Sequence, residues 1–143
     1  MKKVYITISA LLFCANVMMA QAPSNRTSTT VIADVLAQMP AQKQAEYNQL
    51  IKDLATTGEE GVLTLVKRIN APGKGSNAHV DYALSGLSHY VMAKGEESSR
   101  AVVAKAYIKA LEQVSERETK AFIIRQLQIV GQDESVDALA GYL

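Results

Sequence analysis

The chain has 143 residues, of which 48% are hydrophobic and 20% charged. That balance excludes disorder over its whole length, and 15 Lys+Arg against 14 Asp+Glu gives no general basic footprint for nucleic acid. A single cysteine excludes an intrachain disulfide framework and any multi-cysteine metal site.

Lys2 and Lys3 precede an apolar stretch from Val4 to Ala15, and small residues follow at Ala20 and Ala22. This order is that of a secretory signal peptide, expected over residues 1–20 with cleavage after Ala20. Asn16 interrupts the stretch before it reaches the roughly 20 apolar residues of a membrane span. Leu11 and Leu12 before Cys14 suggest a lipoprotein, but Phe13 stands where that signal needs a small residue. Cleavage removes the only cysteine and two lysines, leaving 13 basic against 14 acidic groups. An exported protein is expected, in the periplasm, at the cell surface or outside the cell, with no membrane span after cleavage. Residues 21–29 are polar and aperiodic and are expected to be a linker. Asn25-Arg26-Thr27 matches a glycosylation sequon, taken as coincidence.

Residues 30–143 show helical apolar spacing throughout, which predicts an all-α fold. Val31, Ile32, Val35, Leu36 and Met39 line a first helix with Thr29 or Thr30 as its cap, and Pro40 suits the first turn of the next. Tyr47, Leu50, Ile51 and Leu54 mark a second helix, which Gly58 ends in a left-handed conformation. Val62, Leu63, Leu65, Val66 and Ile69 mark a third. A loop follows from Asn70 to Asn77, with Asn77 as N-cap of a fourth helix carrying Val80, Tyr82, Ala83, Leu84, Leu87, Tyr90 and Val91. The fifth runs from about Ser98 to Val114 with Ala101, Val102, Ala106, Ile108 and Leu111 inside. Ser115 to Glu118 forms a capping box for a sixth, which carries Phe122, Ile123, Ile124, Leu127, Ile129 and Val130. Gly131 closes it, and Asp133 caps a seventh.

Gly58, Gly95 and Gly131 lie 37 and 36 residues apart, and acidic residues follow each. The period is that of a two-helix hairpin, a unit that buries both faces only by stacking on its neighbours. With Phe122 to Val130 before the turn and Val136, Leu139 and Leu143 after it, the units are similar to HEAT repeats, although shorter than the usual length of about 40–47 residues. Ala106 to Glu112 suggests the tetratricopeptide repeat instead, but that family repeats at about 34 residues and its small-residue offsets are missing. The expected fold is a right-handed α-solenoid of HEAT-like hairpins with six to seven helices. About 113 residues make roughly three hairpins, the minimum for a stable array, and the array is expected to be truncated at its C-terminus.

No catalytic, cofactor-binding or metal-ligating residue is assigned. His79 and His89 sit about 280° apart around one helix, and Asp81 does not share a face with His79. No nearby Cys or His completes a zinc pattern. The pairs Glu59/Glu60, Glu96/Glu97 and Asp133/Glu134 are explained by helix N-termini rather than by acid–base chemistry. Pro72 to Ser76 lacks the spacing and the preceding strand of a phosphate loop. Arg100, Lys105 and Lys109 form a solvated basic face, with docking of an acidic partner as the alternative.

Four phrases carry a resemblance: Thr30 to Asp34, Gly73 to Asn77, Ala83 to Tyr90, and Ser115 to Phe122. With the exported start and the linker, they resemble the N-terminal HEAT-like helical region of large secreted proteins of gut-type Bacteroidetes. Those proteins carry a C-terminal 3-keto-disaccharide hydrolase domain of jelly-roll type. The resemblance implies a non-catalytic scaffold or interaction region of a saccharide-processing protein, whose partners are other proteins or further domains of the same polypeptide. No nucleic acid and no cofactor are expected. No part of the hydrolase domain is present, so no catalytic residue carries over. The alternative is a self-contained periplasmic protein- or peptide-binding module of HEAT or tetratricopeptide type.

Overall fold

The computed structural model describes residues 26–142. The expected signal peptide with Cys14, residues 21–25 of the linker including Asn25, and Leu143 lie outside the described residues. Among those described, seven helices and no strand are present: α1 (Ser28–Gln38), α2 (Gln44–Ala55), α3 (Gly58–Val66), α4 (Ala78–Tyr90), α5 (Glu97–Gln113), α6 (Arg117–Val130) and α7 (Glu134–Ala140). None is long and apolar enough to cross a membrane.

Local chemistry sets the helix ends, in several places differently from expectation. α1 starts at Ser28, inside the expected linker, because the Thr27 hydroxyl accepts the Thr30 amide at 3.3 Å. Arg26 fastens the entry by pairing with Asp34, and it reaches Asp53 of α2 at 3.7 Å. Pro40 falls in the connection 39–43, outside α2. Gly58 and Gly95 take positive φ, 58° and 95°, a conformation other residues rarely adopt. Gly131 has φ −62° and serves differently. A Cβ there would stand 2.7 Å from Ser135 Oγ, so its missing side chain lets α7 close on the end of α6. The expected cap of α6 is displaced by one residue: Glu116, not Ser115, is the N-cap, and its carboxylate accepts the Thr119 amide at 2.7 Å. That bond and its neighbouring amides hold the Glu116 carboxyl below the usual range.

Packing alternates along the chain. α1, α3, α5 and α7 contact one another in succession, and so do α2, α4 and α6. Hairpin partners α1 with α2, α3 with α4, and α5 with α6 join the two rows. Between the rows runs one continuous core that includes Ile32, Ile51, Leu54, Leu65, Leu84, Leu111 and Ile123. Polar bridges fix neighbours both within a row and between the rows. Lys109 of α5 donates to Glu59 of α3 at 2.6 Å. Arg100 of α5 donates to the carbonyl oxygens of Val130 and Gly131 at 2.8 and 3.0 Å, placing a guanidinium on the negative end of α6.

The least expected core member is Tyr107, which is fully buried. Its hydroxyl lies 3.0 Å from Ser88 Oγ and donates to the Leu84 carbonyl at 3.2 Å, tying α5 to α4 across the two rows. Ser88 Oγ, also fully buried, lies 3.0 Å from both the phenol and that carbonyl, and its single proton serves one or the other. A phenol at this depth needs such partners, since an unmatched buried hydroxyl costs about 1–3 kcal/mol. By contrast Tyr82, Ala101 and Val102, expected inside, are exposed. They stand one position off the stripes that face the core.

Burial holds the Tyr107 phenol far above the ordinary tyrosine range, with the Ser88 bond acting in the opposite sense. The native chain therefore keeps this proton at pH values where the unfolded chain has released it. Stability from this group is complete below pH about 10 and declines above it, by up to about 1.4 kcal/mol per pH unit. In urea titrations, Tyr107→Phe is expected to cost about 1–2 kcal/mol at pH 7 and to flatten the alkaline decline. An unchanged slope above pH about 10 would show that another group governs it.

Candidate functional site

A groove of about 490 Å³ lies where the entry to α2 meets the outer face of α4. Its size is that of a small-ligand or peptide side-chain site. Tyr47 of α2 and Tyr82 of α4 form its aromatic wall, their rings edge to face with centroids 5.9 Å apart and planes at 82°. Tyr82 is 52% exposed, so its ring is available to a guest. Gln42, Asp81, Ser85 and His89 supply polar groups around it.

Gly86 is what brings Tyr47 into this wall. A Cβ at Gly86 would run into the Tyr47 hydroxyl and stand 2.7 Å from Ile51 Cδ1. The bare backbone of α4 thus forms the floor on which α2 rests. Lys43 at the rim is paired with Glu46 at 3.0 Å, and Gln44 donates to Asn48 at 2.8 Å. Burial raises the Asp81 carboxyl above its ordinary value, against the opposing charge of Arg125 on α6. Burial, with the neighbouring Tyr82, also raises the Tyr47 phenol.

The residues singled out in the sequence fall in different places. His89 lines this groove, whereas His79 lies in a separate, smaller cavity of about 310 Å³ with Arg68, Asn70 and Ser76. The acidic pairs sit at three separate helix starts and do not converge. Glu59 is held below the usual carboxylate range by the hydrogen bond and charge of Lys109. Glu96 accepts hydrogen bonds from Tyr90 and Ser99 at 3.0 and 2.8 Å. Glu97 accepts the Gly95 amide at 3.1 Å, and backbone amides lower its carboxyl. The expected basic face is largely engaged, Arg100 by carbonyls and Lys109 by Glu59, while Lys105 remains exposed.

The loop from Asn70 to Asn77 is fastened by its two ends. The Asn70 amide donates to Asn77 Oδ1 at 2.7 Å, and Asn77 Nδ2 donates back to the Asn70 carbonyl at 2.9 Å. Asn77 occupies the N-cap position of α4, but its side chain closes the loop and makes no capping bond. Among the described residues, no group of three or more His, Cys, Asp or Glu side chains is placed to hold a metal ion. No protein-family model, curated protein or solved structure matches the chain.

Gly86→Ala is expected to destabilise by about 1–3 kcal/mol although alanine is the better helix former, because the new methyl displaces Tyr47. In a Tyr47→Ala background the same substitution should cost clearly less in urea denaturation. Equal costs in both backgrounds would mean that Tyr47 does not rest on Gly86.

Proposed function

We propose that this chain is a non-catalytic, exported helical-repeat interaction region, a right-handed α-solenoid of HEAT-like hairpins acting through contacts with proteins. The observation that carries this reading is the alternating packing of odd and even helices, with an aromatic groove on the even row. A stack of this kind offers a long surface in which each helix row contributes at regular intervals, suited to extended partners. The groove adds exposed tyrosine, a side chain that gives large contact area at little cost in conformational freedom. Its polar members are single, spaced groups, and the acidic pairs elsewhere are taken up by helix starts and ion pairs.

Placement within a larger saccharide-processing protein of the 3-keto-disaccharide hydrolase type rests on the phrases quoted from the sequence. In that setting the region positions a catalytic domain or docks a second protein, and the chemistry resides elsewhere in the polypeptide.

Two measurements test the reading together. The purified chain is expected to leave a 3-keto-disaccharide unhydrolysed. A photo-crosslinking residue placed at position 82 in the native host should give a discrete protein adduct, while one at Lys67 should not. Turnover by the purified chain, or equal labelling at both positions, would contradict the proposal.

A further inference from the structure

Two phenol rings and the Asp81 carboxylate line the groove; Asp81 also borders a smaller cavity of about 150 Å³ with Arg125, and among the described residues its side chain makes no hydrogen bond or ion pair. Asp81 is partly buried and takes part in none of the ion pairs found there. The cations around it are otherwise placed. Arg125 is near enough to favour the charged carboxylate, but it lies over the Phe122 ring, 5.8 Å from its centroid. Lys43 is held by Glu46 at 3.0 Å.

A charged group drawn partly out of water without a partner carries a standing cost, which a ligand of opposite charge removes. Tyr82, half exposed and set edge to face with Tyr47, offers aromatic surface to the groove, which attracts a cation and an aliphatic stem alike. Gly86 also lines the groove, and because it has no side chain the Tyr47 ring settles against α4 there. Exposed ring and carboxylate on the border of one groove together match one kind of guest, a long side chain ending in a positive charge. Gln42 and Ser85 flank that position with groups able to hydrogen-bond a main chain.

We propose that the groove binds a peptide segment of a partner protein through a lysine or arginine side chain, its cation between Asp81 and Tyr82 and its stem along Tyr47 and Gly86. This rests on the interaction-region reading and names the chemistry that the partner presents. A neutral saccharide would also stack on the tyrosines but would draw no advantage from the unpaired charge.

The test is an amide chemical-shift titration of the exported protein with N-acetyl-lysine methylamide, N-acetyl-norleucine methylamide and maltotriose, each at millimolar concentration. The lysine derivative is expected to shift amides in 43–47 and 81–89 and to bind at least about fivefold more tightly than norleucine, which has no ammonium group. Asp81→Asn and Tyr82→Ala should abolish that preference, and Tyr82→Phe should retain it. The spectra outside the groove report that each variant is folded. Equal response to lysine and norleucine, stronger response of the same amides to maltotriose, or no response at all overturns the proposal. If crosslinking at position 82 persists unchanged in Asp81→Asn, this inference falls while the interaction-region reading stands. If lysine binds as expected and no crosslink forms in the host, the broader reading falls instead.

Discussion

The Tyr107 hydroxyl is a buried polar tie between the two rows of helices, set within the apolar core that joins them. A helical core made only of aliphatic side chains tolerates sliding, because dispersion contacts are individually weak and have little directionality. A phenol with a single buried acceptor has no such latitude. Tyr107 on α5 reaches the Leu84 carbonyl and the Ser88 hydroxyl on α4, and both are available only at one axial position of the two helices. Once that position is set, Leu84 and Leu87 meet the core at a fixed depth, and α3 and α6 pack against helices already in register.

Other polar contacts work on the same frame at the helix ends. Arg100 clasps the last carbonyls of α6, Glu116 covers the first amides of that helix, and the two asparagines close the longest connection. Each satisfies backbone or amide groups that a helix end or loop leaves open. The groove belongs to this frame as well. Its tyrosine wall exists because Gly86 lets α2 approach α4, so the recognition surface and the packing of the even row share a single cause.

Much of the helical order was legible in the sequence. Apolar spacing placed all seven helices to within a few residues, and the positive-φ turn at Gly58 followed from glycine standing just beyond a periodic stripe. Other features were hidden for physical reasons. Ser88 and Tyr107 carry hydroxyl groups, so neither marks itself as core until its partner from another helix is known. Tyr82 and Val102 lie beside the buried stripes, where the apolar pattern alone does not separate inside from outside. Gly86 had no visible purpose as a glycine inside a helix, since its reason is a side chain 39 positions earlier. Sequence spacing relates Asp81 only to His79, whereas its neighbours in space are rings and a guanidinium from three helices.

Backbone hydrogen exchange tests the role of the Tyr107 anchor most directly. The account predicts that the slowest amides lie where α4 and α5 meet through the phenol, around Leu84 to Ser88 and Val103 to Leu111, and that they open together at the global stability of the chain. Amides of α7 should exchange far sooner, since only Ser135 of that helix is buried. Protection in α4 and α5 no greater than in α7 would contradict the claim that this buried hydroxyl organises the fold.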